Sequence, residues 1–170
     1  MKNCFLLIGL LLVNVTAQAG DEQSAIKLDE LKQNMQKVVP YSVELTLQGF
    51  SKTVHGGVQH VVVKSVDDAS QIALIQGYLL KLAGRLRKGD FSDAERLHGK
   101  NMAGLAQLKM AKTDDIRFVY KALENGGQIH YSTEYPQFVA ALHGWFDAQN
   151  SEHGNITIPG HGHHHSSPAN

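Results

Sequence analysis

The stretch IRFVYKALENGGQIHYST, residues 116–133, decides the fold. Two runs rich in β-branched and aromatic residues flank Glu124-Asn125-Gly126-Gly127. Asn-Gly between two such runs is the strongest short-range signal for a β-hairpin, because both residues tolerate the positive φ angles of a tight turn. The sequence therefore predicts two antiparallel strands joined by a short turn.

A second hairpin is predicted upstream of the first. In SVELTLQ, residues 42–48, apolar residues alternate with polar ones, which indicates a strand with one buried face. KTVHGGVQHVVVK at 52–64 is a further extended segment, in which Gly56-Gly57 is expected to form a tight turn or a bulge. Two hairpins together are enough to build one antiparallel sheet.

Apolar residues at three- and four-residue spacing predict helices on either side of these hairpins. The three longest cover 22–38, 67–88 and about 135–149. Pro40 is expected to halt the first and Gly89 to cap the second.

A further helix is expected to begin at SDAE, residues 92–95, which fits a capping box in which Ser92 and Glu95 bind free backbone amides. The elements then follow the order α-β-β-α-α-β-β-α. That order predicts an α+β domain: an antiparallel sheet built from two hairpins, with helices packed on one face.

The first residues, MKNCFLLIGLLLVNVTAQAG, have the layout of a secretory leader, with a lysine, an apolar run and then Ala17-Gln18-Ala19. The apolar run is too short to span a membrane as a helix. We therefore expect a signal peptide over 1–19, a single domain over 20–154 and a flexible histidine-rich tail over 155–170. The mature protein is expected in the periplasm or outside the cell.

Composition excludes several kinds of chemistry and partner. Cys4 is the only cysteine and leaves with the leader, so the mature chain has no thiol for a disulfide or a metal. In the whole chain 16 Lys and Arg residues balance 16 Asp and Glu residues. Without a field of one sign, neither nucleic acid nor an anionic membrane is an expected partner.

Two histidines have a second polar or soft side chain one helical turn away. In a continuous helix, His98 and Met102 lie on the same face. Imidazole with thioether suits copper, above all Cu(I), because soft ligands select that ion. The alternative makes Met102 a core residue and His98 a boundary residue. His143 and Asp147 have the same spacing and fit a ligand pair, a general-base pair or a surface hydrogen bond.

Three stretches resemble the recurring motifs of a family of small exported bacterial proteins: HGGVQ at 55–59, GDFSDAERLHGKNMAGL at 89–105 and ALHGWFDAQNSEHG at 141–154. Members of that family often carry the label aspartate carbamoyltransferase. That enzyme needs a carbamoyl-phosphate loop of the Ser-Thr-Arg-Thr-Arg type and two α/β domains, which this sequence lacks, so the resemblance implies a domain type rather than that activity. The histidines that the matching motifs contain are His55, His98, His143 and His153.

The tail adds further histidines in a glycine-rich context: His161, His163, His164 and His165. Such a segment collects borderline ions such as Cu(II), Ni(II) or Zn(II), and its affinity falls as the imidazoles are protonated below about pH 6.5. The tail and the motif residues together predict a periplasmic transition-metal-binding protein for the buffering, uptake or delivery of copper, ahead of zinc or nickel.

Two other classes of function stay open. Three converging histidines with an open coordination position, and a base such as Asp147 or Glu152, would make a metal-assisted hydrolase. The sequence has no G-x-S-x-G elbow, phosphate loop or H-E-x-x-H motif, so other enzyme classes find no support. A structural or small-ligand-binding module, whose sheet packs against a twin subunit as a homodimer, would leave the histidines incidental.

Overall fold

A computed structural model describes residues 29–153, with side chains as far as residue 151. The expected signal peptide, the expected tail with its four histidines, and the side chain of His153 lie outside the described residues. The elements are α1 (29–36), β1 (Thr46–Thr53), β2 (Gly56–Val63), α2 (Ala69–Leu86), α3 (Ser92–His98), α4 (Leu105–Leu108), β3 (Arg117–Leu123), β4 (Gly126–Ser132) and α5 (Pro136–His153). The predicted α+β class is confirmed, with the one-turn helix α4 as an addition.

The two hairpins form a single four-stranded antiparallel sheet in the order β1-β2-β4-β3. Leu123 pairs with Gly126, so the predicted hairpin is present but its turn residues are Glu124 and Asn125, and Gly126 already belongs to β4 instead of forming the turn with Asn125. β2 and β4 pair with each other and thereby join the two hairpins. The second and third strands of the sheet therefore come from different halves of the chain.

The predicted position and buried face of the first strand are wrong. The strand begins at Thr46 rather than at residue 42, and Leu45, expected inside, is 49% exposed. The opposite alternation faces the helices, where Thr46 and Phe50 are buried. Phe50 decides the register because its ring packs on Phe146, with centroids 5.2 Å apart, and an aromatic ring buries more apolar surface than Leu45 would.

Gly56 and Gly57 do not form the turn that the sequence predicted for them. Thr53 pairs with Gly56, so the turn residues are Val54 and His55, and both glycines belong to β2. A Cβ atom on Gly57 would lie 2.1 Å from the Phe146 ring. The glycine is therefore needed for the close approach of α5 to the strand, rather than for a chain reversal.

Helices α2 and α5 cover the same face of the sheet, which we call the helix-covered face. A Cβ atom on Gly127 would contact Leu79 of α2, just as one on Gly57 would contact Phe146 of α5. Between the helices and the sheet lies a cluster of rings with neighbouring centroids 5.2 to 6.4 Å apart. Its members are Phe50, Phe91, Phe118, Tyr131, Trp145 and Phe146. All six are buried, and they form the centre of the core.

The helix ends agree only in part with the sequence signals. Gly89 has φ of 75° and donates its N–H to the carbonyl of Leu86, as expected of a residue that closes α2. The predicted capping box at α3 is wrong: Ser92 already lies inside the helix, and its N–H is bound by Asp90 Oδ1 at 3.0 Å. Glu95 pairs with Lys109 instead of turning back to the helix start.

None of the described helices is both long enough and apolar enough to cross a membrane.

Candidate ligand-binding cavity

A cavity lies between the helix-covered face of the sheet and the helices that pack on it. Its volume is about 50 Å³, which corresponds to room for about four water molecules. Its apolar walls come from α1, β1, α2, α3 and α5, and include Met35, Phe50, Leu82, Phe91 and Trp145. We call it the central cavity.

The three motif stretches, which are distant in sequence, meet at the central cavity. HGGVQ contributes Gln59, the stretch 89–105 contributes Asp93 and His98, and the stretch 141–154 contributes Trp145 and Gln149. Convergence of several polar side chains on an apolar pocket is typical of a small-molecule site. The central cavity is therefore the candidate site in the described part of the chain.

Two glutamines on neighbouring strands form the floor of the cavity. Tyr131 Oη donates to Gln59 Oε1 at 2.7 Å, and Tyr41 Oη donates to Gln48 Oε1 over a longer 3.5 Å. Burial raises the pKa of both tyrosines, so the hydroxyls keep the protons that they donate. Tyr131 thus holds the amide oxygen of Gln59 in place, whereas Tyr41 contacts that of Gln48 more weakly.

An ion pair supports the wall that α3 contributes. Arg85 donates from Nη1 to Asp93 Oδ1 at 3.1 Å and from Nη2 to Oδ2, and Tyr78 Oη also donates to Oδ2, at 2.9 Å. Burial, and after it the negative charge of Asp93, raises the pKa of Tyr78. Because three donors already bind the Asp93 carboxylate, its role is to hold α3 against α2 rather than to carry a proton during a reaction.

His98 lines the cavity, but the predicted helical pair with Met102 is wrong. Helix α3 ends at His98, and Gly99, with φ of 82°, turns the chain out of the helix. Met102 lies in the segment between α3 and α4 and is 7% exposed. Its Sδ accepts a hydrogen bond from Trp145 Nε1 at 3.1 Å, so Met102 is a core residue behind the cavity wall that Trp145 forms.

His143 and Asp147 contact the end of β1 instead of each other. His143 Nε2 donates to the Thr53 carbonyl at 2.9 Å, which places the ring proton on that nitrogen because a carbonyl only accepts. Asp147 receives two bonds from Lys52 Nζ, at 2.8 and 3.0 Å. The two side chains therefore form none of the pairs that the sequence left open, because each has a different partner on β1. His55 is exposed in the adjacent turn.

The metal-ligand residues predicted from the sequence do not converge within the described part of the chain. Across residues 29–151, no group of three histidine, cysteine, aspartate or glutamate side chains is arranged to hold a metal ion. His98 lies at the central cavity, whereas His55 and His143 lie by the β1–β2 turn. His153 and the tail histidines are outside the described side chains.

A second cavity, of about 70 Å³, lies at the end of α2 and is larger but less suitable as a site. Arg87, Lys88 and Lys112 line it above an apolar floor. The carbonyl groups at the C-terminus of α2 attract cations and so stabilise these positive side chains without any ligand. The same carbonyls would oppose an anionic ligand.

Sequence reasoning missed the glutamines of the central cavity. Gln149 lies on the same helical line as Phe138, Leu142 and Trp145, and a polar residue on an apolar stripe was the available signal. Gln59 was visible only as the last residue of HGGVQ. Its partner, Tyr131, is 72 residues away, and no local pattern reveals that contact.

No protein-family model matches this chain, and neither does any curated protein or any solved structure.

Proposed function

We propose that this chain is an exported protein whose folded domain binds a small molecule in the central cavity. The observation that carries the proposal is the meeting of the three motif stretches around one apolar cavity with polar groups at its floor and wall. Of the classes left open by the sequence, a small-ligand-binding module fits this arrangement best. Catalysis would depend on Asp90 or His98, which also line the cavity, because three donors already bind Asp93 and the lining amides are poor acids and bases.

The test uses the single tryptophan of the chain, which lines the cavity and gives one indole N–H signal in an NMR spectrum. Cyclopentanone, cyclopentylamine and cyclopentanecarboxylate serve as probes, because they share a compact apolar ring and differ in their polar group. The proposal expects at least one of them to shift the Trp145 signal in a saturable way.

A cavity-filling variant shows whether that shift comes from the cavity. Ala94 lines the cavity, and Ala94→Phe should abolish the shift, whereas Ala73→Phe on the exposed side of α2 should leave it intact. If none of the three probes shifts the signal at millimolar concentrations, small-molecule binding in this cavity is wrong.

Transition-metal binding, with copper ahead of zinc and nickel, is the second candidate. It is favoured by the position of His98 on the cavity wall and by the five histidines at 153, 161 and 163–165 in the sequence. In this proposal His98 supplies one ligand, and the remaining ligands come from histidines beyond the described side chains. The tail collects ions such as Cu(II), Zn(II) and Ni(II) with low selectivity.

The metal proposal is tested by measuring bound copper, zinc and nickel per chain after dialysis, in the mature protein with and without residues 159–170. Retention of about one equivalent by the shortened chain, lost in His98→Ala but kept in His130→Ala, would support a folded site. If the chain without residues 159–170 retains no metal, the folded domain does not bind metal. A Cu(I) ion that uses Met102 would also displace the Trp145 N–H and move its NMR signal.

A further inference from the structure

We infer that the central cavity recognises an uncharged carbonyl compound, whose oxygen accepts hydrogen bonds from the side-chain amide of Gln59. The ligand's apolar part would then lie against the aromatic wall. This inference names the ligand class for the proposed small-molecule function and rests on that function.

Gln59 is nearly fully buried and has one half of its amide held in place. The residue is 6% exposed, and its Oε1 accepts the hydroxyl proton of Tyr131 at 2.7 Å. This bond turns the Nε2 side of the amide away from Tyr131. An amide group carries two donors on nitrogen, so Gln59 has two N–H bonds to satisfy elsewhere.

Those two donors have no partner in the described part of the chain. Gln59 Nε2 makes no hydrogen bond with any described residue. Fully enclosed side-chain nitrogen and oxygen atoms among the described residues all have partners, so Nε2 must border open space. The open space beside Gln59 is the central cavity. A buried donor that faces a cavity needs an acceptor there, because an unsatisfied buried donor costs about 1–3 kcal/mol.

Gln48 repeats this arrangement on the next strand. Gln48 pairs with Val61, two residues from Gln59, on the same face of the sheet, so the two side chains are diagonal neighbours. Its oxygen faces Tyr41, and its amide nitrogen also makes no hydrogen bond with a described residue. The floor therefore offers donors from two adjacent amides, which suits one oxygen with two lone pairs.

The charges around the cavity favour an uncharged acceptor over a carboxylate. Asp90 and Asp93 line the cavity, and no lysine or arginine does so among the described residues. Hydrogen bonds from Ser92 lower the pKa of Asp90, which keeps that carboxylate ionised at neutral pH. Arg85 offsets the charge of Asp93, so the repulsion that an anionic ligand would meet comes mainly from Asp90. An aldehyde, ketone, ester or amide carbonyl avoids that cost.

The experiment measures the affinity of each probe from the Trp145 indole signal, first in the unmodified mature protein. Cyclopentanone should bind at least fivefold more tightly than cyclopentanecarboxylate or cyclopentylamine. In Gln59→Leu the affinity for cyclopentanone should fall about five- to tenfold, as expected for the loss of a net hydrogen bond of about 1 kcal/mol. Gln128→Leu is the matched control, because Gln128 is similarly buried, at 8% exposed, on the opposite face of the same sheet.

A second variant keeps the inference testable if Gln59→Leu does not fold. Tyr131→Phe removes the hydroxyl that fixes the amide and retains the ring, so it should weaken cyclopentanone binding while its effect on cyclopentylamine is smaller. Preference for cyclopentylamine would overturn the inference, because the preferred ligand would then be a cation attracted to Asp90 and Asp93 rather than a carbonyl compound bound by Gln59.

The outcomes separate this inference from the proposed function. If all three probes bind with similar affinity and Ala94→Phe blocks them all, the cavity binds small molecules but the carbonyl assignment is wrong. The same holds if Gln59→Leu and Tyr131→Phe leave cyclopentanone binding unchanged. If no probe binds, both the inference and the proposed function are overturned.

Discussion

Trp145 Nε1 donates its hydrogen bond to Met102 Sδ at 3.1 Å, in a part of the core where both residues are less than 10% exposed. The bond joins the segment between α3 and α4 to α5. A thioether is a weak acceptor, but it is the partner found for the indole N–H at this site. Met102 therefore has a structural role, and a metal ion that bound its sulfur would have to displace the hydrogen bond from Trp145.

Met102→Leu is expected to destabilise the domain by about 1 kcal/mol, because the volume is conserved while the buried indole N–H loses its acceptor. Urea denaturation followed through Trp145 fluorescence measures the change. Met110→Leu is the control, since Met110 is 72% exposed and the same replacement there should be nearly neutral. Equal effects of the two replacements would show that the sulfur contributes nothing as an acceptor.

The hairpins, the helices and their order were predictable because their signals are local. The stretch Glu124-Asn125-Gly126-Gly127 indicates a chain reversal within four residues, and the apolar spacing of α2 repeats over a single helix. The register of β1 was not predictable in this way. Leu45 and Phe50 point to opposite faces of the strand, so only one of them can be buried against the helices. Phe50 is the buried one because it packs on Phe146, which lies about 100 residues later in the chain.

The candidate site was less predictable than the fold because its contacts are long-range. Histidine spacing drew attention to His98, which does line the cavity, but also to Met102 and His143, whose hydrogen bonds go to Trp145 and Thr53. Spacing along one helix predicts neighbours only while the helix continues, and α3 stops at His98.

Gly57→Ala is expected to destabilise the domain by about 3 kcal/mol, because overpacking of this kind forces shifts in well-packed neighbours. The added Cβ would lie 2.1 Å from the Phe146 ring and 2.6 Å from the Ser51 carbonyl oxygen. Thermal unfolding measures the change. Gly77→Ala is the matched control: Gly77 is an exposed helical residue with no atom within 4 Å of an added Cβ, so this variant should gain up to about 1 kcal/mol. Gly57→Ala without loss of stability would contradict the packing of α5 on β2.

Asn150→Ala is expected to cost about 2 kcal/mol, because its side chain makes two hydrogen bonds with the backbone of an edge strand. Asn150 Nδ2 donates to the Phe50 carbonyl at 2.9 Å, and the Phe50 N–H donates to Asn150 Oδ1 at 3.3 Å. The adjacent exposed Ser151 makes only a local bond to Ala148, so Ser151→Ala should be nearly neutral. Hydrogen exchange of the Phe50 amide gives an independent measurement, and exchange that is unchanged in Asn150→Ala would argue against this contact.

His130 should titrate below the usual histidine pKa of about 6.5. Burial lowers its pKa first, and the positive charge of Lys121 lowers it further. The neutral ring also accepts a bond from Gln128 Nε2 at 2.6 Å, which protonation of Nε2 would break. Because the folded pKa lies below the unfolded one, the unfolded chain binds the proton more readily. The contribution of His130 to stability is therefore complete above about pH 6.5 and is lost as the pH falls through the folded pKa.

Titration of the His130 ring signals by NMR tests this expectation. Lys121→Met should raise the His130 pKa only part of the way towards 6.5, because burial is the larger cause and stays in place. Full recovery in that variant would assign the shift to charge alone. A His130 pKa at or above 6.5 in the unmodified protein would mean that the imidazole is not desolvated on this face of the sheet.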